Sequence, residues 1–342
     1  MPVRKGPVPK TGGILTFIGA PRGSIDNLGP GMVGVLGVPF DVSATDKLGP
    51  RTGPQAYRET STYFWNHTDP DSSLIEIDSR VRVDTELMKN MVRDLGDLPV
   101  SHVDWSVTES RLRDAARLIT LQAAIPVVLG GDHLITYPLV QGYRDAVLES
   151  GGGNVGYIQF SGRLDLGQQD PLWGEVWRGA TARRIIDTGA VEPENMVWVG
   201  VNGYVPLEDW ELSRKLPLTV FTAEDVRERG IGEIASRALE VAGRGCDGVY
   251  VSVDIDVLDG GYVAMTGAPR FDGLKNVDMF AAMDVLARGP VGAIDLCGLN
   301  PLVEVMGLGK TGQRFGVDML LRFIEPKISK EGASGVTPRH GS

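Results

Sequence analysis

Along this chain, short and almost wholly apolar runs alternate with longer stretches whose apolar residues recur every three to four positions. The short runs are VGVLGVPF (33–40), IPVVLGGDH (125–133), NVGYIQFSG (154–162), NMVWVGVNGY (195–204), LPLTVFT (216–222), GVYVSVDID (248–256) and VGAIDLCGLNP (291–301). Rich in Val, Ile and Leu, they predict strands buried on both faces. Among the longer stretches, TGPQAYRETSTYFW (52–65) starts a helix at a Gly-Pro turn. SHVDWSVTESRLRDAARLITLQAA (101–124) predicts a long amphipathic helix with Ser101 or Asp104 as its N-cap. ATARRIIDTG (180–189), IGEIASRALEVAG (231–243) and NVDMFAAMDVLARG (276–289) predict further helices. This alternation predicts an α/β fold. A single domain over residues 31–327 would hold a parallel β-sheet covered by helices on both faces. Residues 1–30, rich in Gly and Pro, predict an extended N-terminal arm over the surface or toward a neighbouring subunit. Residues 328–342 are polar and Gly-rich and predict a flexible tail.

Composition narrows the partners. With 342 residues and 42% apolar content, the chain can bury a full core. A formal net charge of -10, with no long basic run, argues against nucleic acid and anionic membranes. The opening MPVRKGPVPKTGG lacks the apolar centre of a signal peptide, and no later run reaches a membrane-spanning length. Cys246 and Cys297 lie in apolar strand-like segments and predict buried, reduced thiols in a cytoplasmic protein.

In such a sheet the ligand site lies beyond the carboxyl ends of the strands. Asp41, Asp132, His133, Ser161, Arg163, Asp165, Asn202, Asp254, Asp256 and Asn300 fall at those ends. GGDHLITYP (130–138) puts His133 behind a Gly-Gly turn. SVDIDVLD (252–259) puts Asp254 and Asp256 on one side of another strand end. A histidine and two carboxylates suit a divalent ion. They also suit turn capping and local packing, and these short motifs leave both open. Trp173 and Trp177 line the pocket mouth or a subunit contact, or simply pack. His67, His102 and His340 have no ligand-like neighbours and read as surface or helix residues.

Longer strings carry a resemblance. LTFIGAPRGSIDNL, VGVLGVPFDVSATDKLGPRTGPQAYRE, DLGDLP (94–99), GGDH (130–133), SVDIDVLD (252–259) and MTGAPRFDGL (265–274) resemble, in order, the landmarks of the ureohydrolase family of arginase, agmatinase and guanidinobutyrase. The resemblance runs from about Leu15 to Leu321. It implies an arginase-like three-layer αβα fold. It also implies a pair of Mn or Ni ions polarising a bridging hydroxide that attacks the guanidinium carbon of the substrate. The family draws six ligands from three motifs: the His of GGDH, matched by His133; three residues of DAHxD; and the pair DxD, matched by Asp254 and Asp256.

At DAHxD this chain reads SGRLD. The bridging Asp is replaced by Ser161 and the His by Arg163, while Asp165 survives. The remnant ligands are therefore His133, Asp165, Asp254 and Asp256, expected to hold no ion or at most one. A guanidinium stays protonated and cannot ligate a metal. Arg163 is therefore expected to pair with Asp165, Asp254 and Asp256, as an internal substitute for one ion. Arg178 stands where the family has a proton-shuttling His, Gly298 where it has a substrate-anchoring Glu, and Leu134 where it has a Ser.

With catalytic residues lost at Ser161, Arg163, Arg178 and Gly298, the resemblance implies a catalytically inactive subunit. It would assemble as a trimer- or hexamer-like hetero-oligomer with a homologous active ureohydrolase carrying Ni or Mn. This is the pattern of the degenerate subunit of heteromeric metformin hydrolase, and no cofactor is expected in this chain itself. Two alternatives stay open: a one-metal guanidino-compound hydrolase using His133, Asp165 and Asp254, and a ligand-sensing pseudoenzyme whose Arg163 and Arg178 favour an anion.

Overall fold

The computed structural model describes residues 14–62, 74–75, 77, 82–263, 265–303 and 310–329. Eight strands build one sheet: β1 (Val33–Gly37), β4 (Val92–Asp97), β5 (Ile125–Leu129), β6 (Asn154–Phe160), β7 (Met196–Val201), β8 (Thr219–Thr222), β9 (Cys246–Asp254) and β10 (Val291–Cys297). A two-stranded ribbon pairs β2 (Leu74–Ile75) with β3 (Arg82–Val83). The helices are α1 (Gly53–Ser61), α2 (Thr85–Met91), α3 (Trp105–Leu121), α4 (Thr136–Glu149), α5 (Thr181–Asp187), α6 (Leu207–Lys215), α7 (Ala223–Arg229), α8 (Ile231–Ala242), α9 (Asn276–Leu286) and α10 (Thr311–Ile328).

The sheet order is β4-β1-β5-β10-β9-β6-β7-β8, and every pairing is parallel. Side-chain alternation splits the core into two apolar layers. Val249, Val251 and Val253 of β9 join one layer with side chains from α8, α9 and α10. Tyr250 joins the other with α3 and α4. Burying each such side chain contributes about 1.5–3 kcal/mol, so the strands carry few polar residues. At the centre, β5, β10, β9 and β6 lie side by side. Their exits, far apart in sequence, therefore open onto one patch.

Several boundaries differ from the sequence pattern. Asp104, not Ser101, caps α3: its carboxylate accepts from Ser106 N at 3.0 Å, while Ser101 Oγ accepts from Asp104 N. α1 ends at Ser61, and residues 63–73 lie outside the described part. The arm is bound more closely than expected over 14–30. Phe17 and Ile18 are buried, and their backbone N–H groups donate to Asp94 and to Ser61, each at 2.7 Å. An apolar pair in an otherwise Gly/Pro-rich segment gains more by docking than by draping. Residues 1–13 and 330–342 are outside the described residues, as are His67 and His340.

The apolar pattern did not mark β4, α4 or α10. β4 is an edge strand whose Asp94 and Asp97 hold the buried Arg58 from α1, so its sequence is too polar to read as a core strand. Cys297 is buried as expected, whereas Cys246 is only partly covered at the start of β9. Both are free thiols.

Candidate functional site

The residues at the exits of β5, β6, β9 and β10 converge. His133 follows β5 in a short 3-10 turn (His133–Ile135), where Asp132 accepts the backbone N–H of Leu134 at 3.0 Å. Ser161 to Asp165 leave β6. Asp254 ends β9 and accepts the backbone N–H of Asp256 at 3.0 Å, which turns Asp256 back into the same space. Gly298 leaves β10.

The four surviving acid and imidazole groups divide into two sets. In the deeper set, His133 Nδ1 lies 3.1 Å from Asp165 Oδ2 and 3.5 Å from Asp254 Oδ2, close enough for ion pairing though without an aligned hydrogen bond. His133 Nε2 meets Ser252 Oγ at 3.0 Å, and Ser252 Oγ donates to Asp295 at 2.7 Å. Gln159 donates to Asp165 Oδ2 at 2.9 Å. Burial works against the imidazolium, but the carboxylates of Asp165, Asp254 and Asp295 prevail and raise the group to about 9. Burial and the neighbouring Asp256 charge raise Asp254.

The outer set is built on Asp256. Arg163 Nε donates to Asp256 Oδ2 at 2.8 Å, and Arg178 Nη2 stands 3.7 Å from the same oxygen. Ser161 Oγ and Gly162 N donate to Asp256 Oδ1 at 3.3 and 3.2 Å. Burial would raise this fully enclosed carboxyl, but the charges of Arg163 and Arg178 outweigh it and hold Asp256 below the ordinary carboxylate range. The expected pairing of Arg163 with three carboxylates is thus narrower in the structure. Its contact is with Asp256, while Asp165 and Asp254 turn to His133. One guanidinium fork cannot reach both sets at once.

Position 298 carries a second consequence. Gly298 has φ +81°, and a Cβ there would overlap Asp254 Oδ1. Asp254 therefore occupies space that a side chain at this position would need. A glutamate introduced there would have to displace it.

These residues do not fit a pair of metal ions. Ser161 Oγ is turned onto Asp256 rather than the His133 group, and Arg163 holds the DxD carboxylate that a second ion would require. Among the described residues, no group of three or more His, Cys, Asp or Glu side chains is disposed to hold an ion. Arg163, Arg178 and a charged His133 already match Asp165, Asp254 and Asp256 charge for charge. A dication added there would stand beside a permanent guanidinium.

The sequence reading missed three participants. Arg270, from the 265–274 loop, crosses Gly162 (its Cδ is 2.6 Å from where a Cβ would stand) and donates to the carbonyls of Asn202 and Tyr204. Ser252 and Asp295 support His133 from below. For these two a signal existed: polar residues inside apolar strands need buried partners. Arg270 gave none, because its neighbours lie on distant loops. Other strand-end residues serve the scaffold. Asp41 holds the Gly49–Arg51 turn, Asp132 holds Ser43, and Asn300 donates to the carbonyl of Lys47 at 3.0 Å. Asn202 Nδ2 donates to Gly200 O at 3.1 Å. Trp177 packs on Gly167 and Gly179, Trp173 is 38% exposed, and His102 stacks on Phe40 at the surface. Leu134 is buried in the core. No helix among the described residues is long and apolar enough to cross a membrane.

Comparison with known proteins identifies the family and the fold. The arginase family profile matches residues 32–323. Guanidinopropionase of Pseudomonas aeruginosa is 29% identical over 309 residues, covering 89% of this chain and 87% of that protein. Among solved structures, a hypothetical agmatinase from Burkholderia thailandensis shares the fold with a TM-score of 0.77. It is 22% identical and covers 95% of this chain and 93% of its own. The Trypanosoma cruzi formiminoglutamase, solved with Mn2+, has a TM-score of 0.74 at 21% identity, covering 90% and 96%.

Proposed function

The chain belongs to the arginase family, and from that premise we propose that it is a non-catalytic subunit. It assembles with an active, Ni- or Mn-bearing homologue that hydrolyses a guanidine or biguanide compound, in the manner of metformin hydrolase, and supports it within a hetero-oligomer. The observation that carries this reading is the ion pair of Arg163 with Asp256, with Ser161 beside it, in the space of the family's second ion. On the family resemblance, Ser161 supplies no bridging carboxylate and Arg163 would be a fixed cation in place of the second ion, and its pairing with Asp256 supports that reading. Arg178 adds to it, since a guanidinium has no neutral form with which to shuttle a proton. The surrounding fold is fully built, with both apolar layers closed. A chain retained for assembly needs that fold; one decaying without function does not.

One observation favours a second reading. His133 Nδ1 is a buried ring nitrogen without an aligned hydrogen bond, facing Asp165 and Asp254. A one-metal guanidino-compound hydrolase would have to draw these three donors together, since as they stand they are not disposed to hold an ion. The test is metal content and guanidine-hydrolase activity, on the chain alone and co-expressed with a candidate active homologue. The subunit reading expects a metal-free, silent chain alone and an active complex with metal in the partner. One equivalent of metal bound to the isolated chain, with urea release, would overturn it in favour of the second reading.

A further inference from the structure

Arg178 is sparsely matched within the centre. It is only 7% exposed, yet among the described residues no protein acceptor forms a hydrogen bond with its guanidinium. Its ion-pair contact, Asp256, lies 3.7 Å away. A guanidinium carries five N–H donors, and those of Arg178 are not fully enclosed, so a small ligand can reach them. Arg163 adds to the surplus. Its Nε is taken by Asp256, but neither Nη group has a hydrogen-bonded acceptor among the described residues, and its side chain is 28% exposed. Arg270 stands alongside, with its Nη groups committed to the carbonyls of Asn202 and Tyr204.

Several nearby acceptors are already engaged. Asp256 receives Ser161, Gly162 and Arg163; Asp254 Oδ1 receives Asp256 N; Asp165 Oδ2 receives Gln159. On the side where Arg163 meets solvent, its Nη groups and the Arg178 guanidinium therefore keep donors without acceptors. The missing complement is a small group rich in acceptor oxygens and negatively charged, able to take two N–H bonds from one fork.

We infer that Arg178 and Arg163, flanked by Arg270, form a binding site for a small oxyanion of the carboxylate or phosphate type. The inference rests on the reading that this centre does not run two-metal hydrolysis, and it reverses the charge preference expected of a pocket for guanidines. A bound oxyanion would join Arg163 to Arg178 and close the outer side of the centre.

The test uses the full chain alone, so it can fail while the subunit reading stands, and the reverse. Sodium phosphate, sodium acetate and guanidinium chloride, each in the millimolar range, are titrated calorimetrically at ionic strength fixed with NaCl. Saturable 1:1 binding of phosphate, acetate or both is expected, and the arm that saturates identifies the anion class. Arg178→Met is expected to weaken it by at least about ten-fold, as the loss of a charge-assisted bond implies. Arg163→Met, at the more open residue, is a second variant expected to weaken it and decides the matter if Arg178→Met does not fold. The inference is overturned if neither oxyanion saturates, if the folded variants bind as tightly as the parent, or if guanidinium binds in preference.

Discussion

Replacing Arg163 with Met removes a charge that the buried Asp256 depends on, and the size of the effect follows from the geometry. Losing one partner of a buried ion pair costs about 3–5 kcal/mol. Here the Arg163 side chain is 28% exposed and Arg178 remains 3.7 Å from the same carboxylate oxygen. Both reduce the cost, to about 2–3 kcal/mol. Asp256→Asn is expected to cost a similar amount, because it strands two guanidiniums. The double variant restores local neutrality and should cost less than the sum, with a coupling of about 2 kcal/mol. Urea unfolding of the four proteins measures the cycle, provided each unfolds in a single reversible transition. For 342 residues at about 2.1 cal/mol/K per residue, the unfolding entropy is about 0.7 kcal/mol/K, so each single variant should lower Tm by about 3–4 °C. Raising NaCl to 1 M should change the coupling little, since the carboxylate is fully enclosed. Single variants within 0.5 kcal/mol of the parent and strictly additive would show Arg163 in solvent, and the account of the centre would fail with it.

Gly298→Ala introduces a Cβ at φ +81° that overlaps Asp254. A loss of about 2–3 kcal/mol is expected, shrinking when Asp254 is also replaced by Ala. Arg58→Met breaks the buried pairing with Asp94 and should cost about 3–5 kcal/mol, with faster hydrogen exchange along β4 as the local readout. Asp209 is buried and accepts from Leu166 N, and burial raises its carboxyl to about 6, above the ~3.9 of an unfolded chain. Its raised value makes it a burden on the fold that is complete above pH 6 and fades as pH falls toward 4. Asp209→Asn should therefore stabilise by about 2 kcal/mol at pH 7.5 and by clearly less at pH 5. An equal gain at both values in thermal unfolding would contradict the assignment.

Local strings in the sequence determined the strand-helix alternation, the parallel sheet and the order of the family's landmarks. They also marked Ser161, Arg163, Arg178 and Gly298 as departures from the motifs the family resemblance suggests, because each stands in a string that can be read in one dimension. Which cation took which carboxylate was a different matter. β5, β6, β9 and β10 are neighbours in space, but the starts of β5 and β10, Ile125 and Val291, are 166 residues apart in sequence. Only their packing put Asp256 against Arg163 and left Asp165 and Asp254 to His133. The same holds for Arg270, brought across Gly162 by a loop with no motif of its own, and for Asp254, which fills the room left by a missing side chain at position 298. A direct ion pair needs its partners within about 4 Å of each other, and the sequence records no such distances. The tertiary structure alone decided the arrangement of the charges.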